Sequence, residues 1–184
     1  KCYVNSDIIL TDDFPRAIRA IVKDHDKFMV TGQRWDTRVV RGPVDFNPSA
    51  CYEPLSKETF WVRLRRLVLE HESTVLHPTS GMDYFCYRGT HEEVFGEIPP
   101  YVIAGYSWDT DLMCLALEQT DMVVDATCMV MAIHQNHNLN TRRDSREAEY
   151  NLELLGRGGD WRKRLRGTQH ARYVLGPGMA IRRR

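Results

Sequence analysis

The segment Tyr3-Val-Asn-Ser-Asp-Ile-Ile-Leu10, with the residues that follow it as far as Thr31, decides the fold class of this chain. Its Val and Ile content predicts a β-strand. Thr11 or Asp12 then offers a helix N-cap, with Pro15 close to the first turn and apolar side chains at helical spacing beyond it. A second strand is predicted over Phe28–Thr31. This β-α-β order predicts a parallel crossover, and so an α/β protein with a mostly parallel central sheet flanked by helices.

The rest of the chain, as far as His134, continues the alternation of helices and strands. A loop is predicted over residues 33–54, where Gly, Pro and Asn interrupt the pattern. Ser56 caps a predicted helix that runs to about His71, and a short strand is predicted over Asp83–Arg88. Ser107 caps a further predicted helix. The last predicted strands are Met122–Asp125 and Met129–His134.

Composition excludes several classes of protein. The chain has 184 residues, 42% of them hydrophobic, which is enough to bury a core. Its longest apolar runs fall far short of the ~20 residues that cross a bilayer, so no membrane span is predicted. Five cysteines without a C-x-x-C pair support neither a zinc ribbon nor a disulfide framework. They leave the compartment open between the cytoplasm and the lumen of the secretory pathway.

Charge is balanced overall but is unevenly distributed. The 25 basic and 25 acidic residues give no net field that would attract nucleic acid. Residues 142–184 carry 12 Lys and Arg against 5 Asp and Glu, which leaves 13 against 20 for residues 1–141. We therefore predict a folded unit over 1–141 and a basic extended tail over 142–184 that lies on the acidic body. Aromatic residues do not interleave with the basic residues of the tail, which disfavours nucleic-acid binding.

The first candidate cluster is Asn5-Ser6-Asp7, which interrupts an otherwise apolar strand. A turn would explain the polar residues, but Ile8–Leu10 continue the strand beyond them. An unpaired carboxylate inside a sheet is costly, so Asp7 is expected to have a cation or an Arg as its partner. The segment therefore predicts either a functional cation site or a structural ion pair.

Two further clusters carry polar side chains at element ends. His134-Gln-Asn-His137 follows an apolar run, and its imidazoles can ligate a divalent ion, bind phosphate or cap the sheet by hydrogen bonding. Trp108-Asp109-Thr110-Asp111 begins a predicted helix, where either carboxylate can be a simple cap. An aromatic ring beside a carboxylate also suits a carbohydrate, since the ring stacks on the sugar and the carboxylate accepts hydrogen bonds from the sugar hydroxyls.

Six segments, taken in order, resemble the later half of a glycosyltransferase of the A-type fold, in the family-2-like nucleotide-diphospho-sugar transferase group. The resemblance covers roughly residues 1–140 and implies an incomplete transferase fold, because the nucleotide-binding half of that family would precede Lys1. The missing N-terminal half is thus an expected partner of this chain. The segments are residues 3–10, Gly-Gln-Arg-Trp-Asp at 32–36, Ser-Gly-Met-Asp-Tyr-Phe at 80–85, Ile-Pro-Pro-Tyr at 98–101, Gly-Tyr-Ser-Trp-Asp at 105–109, and Val-Asp-Ala-Thr with His-Gln-Asn-His.

The resemblance implies a role for individual residues. Asp7 would be a direct ligand of Mn²⁺ or Mg²⁺ at the donor diphosphate, and His134 or His137 would complete the metal site. Asn5 stands where the family has the first acid of its metal motif, and would reach a ribose hydroxyl or a metal-bound water. Asp109 resembles the acidic residue that faces the acceptor, a general base in an inverting reaction and a positioning group in a retaining one. Further substrate-binding candidates are Arg34, Trp35, Asp83, Trp108, Asp111 and Asn136.

The function implied is transfer of a sugar from a nucleotide-sugar donor to a glycan or protein acceptor, with a divalent metal at the diphosphate. This chain alone is expected to be an incomplete and inactive segment. The alternative is a non-catalytic module that keeps the fold and holds a glycan or a partner protein through Trp35, Trp108 and the basic tail. Convergence of Asp7 with a His of the 134–137 segment distinguishes the two, because a binding module does not need it.

Overall fold

The computed structural model describes residues 1–37, 60–103, 106–135, 145–156 and 165–184. Within these ranges the chain forms two β-sheets and several helices, so the α/β class is confirmed. In chain order the elements are β1 (Cys2–Val4), β2 (Ile8–Leu10), α1 (Asp13–Asp24), β3 (Phe28–Thr31), β4 (Arg34–Thr37), α2 (Phe60–Glu70), β5 (Val75–Leu76), β6 (Tyr84–Arg88), α3 (His91–Phe95), α4 (Trp108–Gln119), β7 (Val123–Asp125), β8 (Ala132–Gln135), α5 (Arg146–Gly156), β9 (Tyr173–Gly176) and β10 (Ala180–Arg183).

Both sheets are mixed, so the prediction of a mostly parallel sheet is wrong. The larger sheet has the strand order β1-β6-β3-β7-β9-β10, and the smaller has the order β2-β8-β4-β5. Three pairings are parallel, namely β3 with β7, β7 with β9 and β4 with β8. The remaining pairings between the described strands are antiparallel.

The predicted strand over residues 3–10 is in fact two strands that belong to different sheets. The polar triplet between them forms a turn, in which the Ile8 amide donates to the Asn5 carbonyl at 3.2 Å. β1 pairs with β6, whereas β2 pairs with β8. The predicted parallel connection to β3 holds only for β1, which runs parallel to β3 in the larger sheet with β6 between them, because β2 lies in the other sheet. The turn that the sequence pattern disfavoured is what changes the sheet.

The six-stranded sheet has helices on both faces. In β3, Phe28 faces a core cluster that contains Ala17 and Ile21 of α1, whereas Met29 faces a second cluster. The second cluster is built mainly by α3 and α4. Adjacent strand residues point to opposite faces, and all four residues of β3 are buried, so this strand is covered on both sides. The prediction of a sheet flanked by helices is confirmed.

The C-terminal residues are part of the sheet, so the predicted extended arm is wrong for Tyr173–Arg183. β9 lies between β7 and β10, and Leu175 is fully buried in the cluster that α1 covers. The guanidinium of Arg172 donates to backbone carbonyls at the end of α4, and that of Arg184 donates to Asp125 at 2.6 Å. These two basic residues therefore anchor the strands, although more than a third of each side chain is exposed.

None of the helices in the described ranges has both the length and the apolar character needed to span a bilayer. The longest are α1 and α4, at 12 residues each.

Candidate functional site

Side chains from both sheets meet in one network of hydrogen bonds and ion pairs. They come from the turn between β1 and β2, from β4, from the loop between β5 and β6, and from β8. Each of these four segments carries a residue that the sequence singled out. The members of the network are Asn5, Asp7, Arg34, Asp36, His77, Asp83 and His134.

Asp83 links the first turn to β4. The Asn5 amide donates to Asp83 Oδ1 at 2.5 Å, and Arg34 Nη1 donates to Asp83 Oδ2 at 2.5 Å. The Tyr3 hydroxyl in turn donates to Asn5 Oδ1 at 2.7 Å. Both polar atoms of the Asn5 amide are thus engaged within the protein, and Asn5 holds Asp83 in place.

Asp36 is the centre of the network and accepts from three side chains. Its Oδ1 accepts from Arg34 Nε at 2.9 Å and is 2.8 Å from His134 Nδ1, while its Oδ2 is 2.6 Å from His77 Nδ1. Burial alone would raise the pKa of this carboxyl. The hydrogen bonds from His134 and His77, with the charge of Arg34, outweigh burial and hold the pKa of Asp36 well below its usual range.

Asp7 and His134 converge as the sequence predicted. Asp7 immediately precedes β2, and Ile8 of that strand lies opposite His134 of β8. The result is a distance of 3.3 Å between Asp7 Oδ2 and His134 Nε2. The two other residues predicted in the second cluster, Asn136 and His137, lie outside the described residues.

His134 is placed between two carboxylates, one at each ring nitrogen. A neutral imidazole carries one N–H, so when Nδ1 donates to Asp36, Nε2 presents a lone pair towards Asp7. Either a second ring proton or a cation relieves that contact. Two ligand atoms at roughly 2.1 Å from one ion lie ~3 Å apart, which is close to the 3.3 Å between Asp7 Oδ2 and His134 Nε2. No three His, Cys, Asp or Glu side chains are arranged for a metal ion among the described residues.

Asp109 lies in the first turn of α4, next to the network. Its Oδ1 accepts from the Thr110 amide at 2.8 Å. Burial raises the pKa of Asp109 to about 7, and the negative charge of Asp83 acts in the same direction. The backbone hydrogen bond and the charge of Arg34 oppose this rise but do not cancel it. A carboxyl with this pKa changes its protonation state near neutral pH, as a general base requires.

Three other predicted substrate residues are engaged in packing or in hydrogen bonds within the fold. Trp108 is 6% exposed, and its ring meets Tyr3 edge-on with the centroids 5.2 Å apart. Asp111 is buried and accepts from the Tyr101 hydroxyl at 2.6 Å. Trp35 packs against the small core cluster of the four-stranded sheet. The indole of Trp108 therefore contributes to the core beneath Asp109.

Ser107 precedes α4 as predicted, but its side chain makes no cap hydrogen bond. Its backbone φ of 62° is left-handed, and its carbonyl accepts from the Asp111 amide at 3.2 Å. This strained position sets the start of α4 and thereby the position of Asp109.

Sequence reasoning missed Asp36 and His77. Residues 33–54 were predicted as a loop, but Arg34–Thr37 form β4, which pairs with β8 and β5. Arg34 and Asp36 stand two positions apart on that strand and so share a face, which is the signal that could have found Asp36. No sequence pattern indicated His77, because its contact with Asp36 depends on the close approach of the ring to Gly81. A Cβ at Gly81 would lie 2.2 Å from His77 Cδ2, so only glycine leaves room for the ring.

Substitution of Asp36 by Asn is expected to destabilise the protein by about 3–5 kcal/mol, because it leaves Arg34 and two imidazoles without their shared carboxylate. Urea unfolding at pH 7 measures this loss. The control is Asp26→Asn, whose side chain is 96% exposed and pairs with Arg88, with an expected cost of about 0–1 kcal/mol. Equal unfolding midpoints for the two variants would show that Asp36 does not organise the network.

Comparisons with protein-family models, with curated proteins and with solved structures find no match to this chain. The glycosyltransferase resemblance thus depends on the six quoted segments alone.

Proposed function

We propose that this chain is the catalytic-half segment of an A-type glycosyltransferase, which transfers a sugar from a nucleotide-sugar donor to a glycan or protein acceptor. The observation that carries the proposal is the convergence of five predicted site residues from separate segments into one network. Those residues are Asn5, Asp7, Arg34, Asp83 and His134.

The donor end of the proposed site is the pair formed by Asp7 and His134. Asp36 accepts from His134 Nδ1, which fixes the ring orientation and leaves Nε2 facing Asp7. A divalent cation such as Mn²⁺ or Mg²⁺ held by these two residues would neutralise the negative charge of the leaving diphosphate. Asp36 is then a positioning residue, since it acts on the donor only through His134.

The acceptor end of the proposed site is Asp109. Its carboxylate accepts the proton of the acceptor hydroxyl while that oxygen bonds to the anomeric carbon of the sugar and the bond to the diphosphate breaks. A pKa of about 7 for Asp109 leaves a large deprotonated fraction at neutral pH and still allows efficient proton transfer. This match favours the general-base role over a purely positioning one, and with it an inverting reaction.

The alternative, a non-catalytic binding module, has lost part of its support. It depended on Trp35, Trp108 and the basic tail as a binding surface. The ring of Trp108 is in the core, and the tail contributes β9 and β10 to the six-stranded sheet. A binding module also gives no reason for a carboxylate and an imidazole to converge at 3.3 Å.

Nucleotide binding by the full-length natural protein tests the proposal. With MnCl₂ present, calorimetric titration with UDP, GDP, ADP, CDP and dTDP is expected to give saturable binding of at least one nucleotide. Asp7→Asn should weaken that binding by about 10–100-fold, and EDTA should weaken it similarly. Asp26→Asn is the matched control and should bind as the wild type does. Absence of binding to all five nucleotides, or equal binding by Asp7→Asn, would contradict the proposed donor site.

A further inference from the structure

Two cysteine side chains lie directly opposite each other on neighbouring antiparallel strands. Cys2 of β1 is the register partner of Cys86 of β6. The adjacent pair, Lys1 and Tyr87, exchanges both of its backbone hydrogen bonds, each 2.8 Å long. Bonded and non-bonded pairs alternate along an antiparallel ladder, so the cysteines occupy a non-hydrogen-bonded position. Their Cα atoms are thus expected to be ~4.5 Å apart, with the side chains close together.

This register meets the geometric requirement for a disulfide. A disulfide needs Cα atoms ~4.4–6.8 Å apart and Cβ atoms that point towards each other, and a non-bonded antiparallel pair satisfies both conditions. The thiols of Cys2 and Cys86 are free, and Cys2 Sγ donates to the Tyr3 carbonyl at 3.4 Å. Cys2 is exposed and Cys86 is buried, so only one of the two is open to a reagent in solution.

We propose that Cys2 and Cys86 are a redox-active thiol pair that low-molecular-weight disulfides, such as glutathione disulfide, convert into a cross-strand disulfide. The Cys2 thiolate attacks one sulfur of glutathione disulfide, and one glutathione thiolate leaves. The Cys86 sulfur, after it loses its proton to solvent, attacks the Cys2 sulfur of the mixed disulfide and expels the second glutathione. Two protein thiols are oxidised and one glutathione disulfide is reduced to two thiols.

The environment of the pair assigns these two roles. The neighbouring Cys86 thiol lowers the pKa of the Cys2 thiol, which raises its thiolate fraction. The neighbouring Cys2 thiol, together with burial, raises the pKa of Cys86. Cys2 is therefore the attacking thiol, and Cys86 is the resolving thiol that acts only after the mixed disulfide has formed beside it.

The bond would fasten an edge strand beside the polar network. Among the strands that the structure describes, β1 lies at the edge of the six-stranded sheet and pairs with β6 alone. Tyr3, the next residue, donates to Asn5, which holds Asp83 at the start of the β6 segment. The disulfide is thus expected to resist separation of β1 from β6, the strands adjacent to Asn5 and Asp83. This inference depends on the register of β1 and β6 and not on glycosyl transfer.

Mass spectrometry after treatment of the reduced, folded full-length protein with glutathione disulfide tests the proposal. The wild type should lose about 2 Da, and its digest should contain a peptide pair that links Cys2 to Cys86. In Cys86→Ala, one glutathione should remain attached to Cys2 as a trapped mixed disulfide. Cys2→Ser changes an exposed side chain and should give neither product, while Cys128→Ser, another exposed thiol, should behave as the wild type.

Three results would overturn the proposal. One is a wild-type protein in which Cys2 keeps a glutathione adduct while Cys86 stays alkylatable. Another is a disulfide from Cys2 to any other cysteine, and the third is a folded protein whose Cys2 does not react. Circular dichroism of each variant confirms the fold before the reaction, so that a failure to oxidise is not a failure to fold.

Discussion

Deletion of residues 173–184 is expected to abolish the cooperative unfolding transition of the protein. The deletion removes β9 from the middle of the larger sheet and β10 from its edge. It exposes the edge of β7, and it also removes Leu175, which is fully buried against α1. Folding free energies of ordinary domains are only about 5–15 kcal/mol, so loss of an internal strand exceeds what the rest of the sheet can sustain. Circular dichroism during urea titration measures the transition.

A pair of point variants gives the same test without truncation. Leu175→Ala is expected to cost about 2–5 kcal/mol, because it leaves a cavity in a packed core. Leu69→Ala makes the same chemical change at a side chain that is 55% exposed, and its cost is expected within ~0.5 kcal/mol of zero. If the truncated protein unfolded cooperatively near the wild-type midpoint, the C-terminal strands would be surface additions, as the charge pattern alone had predicted.

Asp109→Asn is expected to lower sugar transfer by ~10²-fold or more, because an amide cannot accept the proton of the acceptor hydroxyl. The wild-type rate should rise with pH through about 7 as Asp109 loses its proton, and the variant should lack this rise. Nucleotide affinity should stay unchanged, since the proposed donor ligands are intact. Asp121→Asn, at a fully exposed side chain, is the matched control. Undiminished turnover by Asp109→Asn would leave this residue without a catalytic role.

The raised pKa of Asp109 also makes the free energy of unfolding depend on pH, and stability falls as the pH rises. The folded state binds the proton of Asp109 more tightly than the unfolded state does. Its contribution to stability is therefore complete below the usual pKa of Asp and is lost as the pH rises through about 7. The slope approaches about 1.4 kcal/mol per pH unit between these limits. Asp109→Asn, which is uncharged throughout, should flatten this slope in urea unfolding at pH 5 to 8.

Strong apolar patterns made much of the fold predictable. The helix after Asp12 was found because its buried face repeats with the period of a helix. The strand over Phe28–Thr31 and the helix after Ser107 were found as dense apolar runs, since most of their residues are buried. The sheet change within residues 3–10 was not found, because the apolar residues on either side of the polar turn look like one continuous strand. Whether two strands belong to the same sheet depends on tertiary contacts, which a local sequence pattern does not predict.

The C-terminal strands were missed for a different reason. Their charges suggested a solvated arm, yet Arg172 and Arg184 bind backbone carbonyls and a buried carboxylate. Net charge cannot distinguish an exposed Arg from one that holds a strand in place. The short apolar alternation around Leu175 was the available signal, and it was too brief to outweigh the twelve basic residues of the tail.

The candidate site was predictable where polar residues interrupt apolar strands. Asn5, Asp7 and His134 were found in this way, and the resemblance to a transferase added Arg34 and Asp83. Asp36 was not found, because its role as the central acceptor depends on three side chains that reach it only in the folded protein. Trp108 was assigned to substrate on its residue type, although its neighbours make it part of the core.

Release of nucleoside diphosphate from nucleotide sugars by the full-length natural protein tests the central claim most directly. The assay supplies UDP-, GDP-, ADP-, CDP- and dTDP-sugars with MnCl₂ at pH 7.5 and uses water or added glycans as acceptors. The account predicts release from one donor class, with at least a ~10²-fold decrease in Asp109→Asn. A folded protein that binds these nucleotides but releases no diphosphate from any donor, or that releases it equally in Asp109→Asn, would contradict the account.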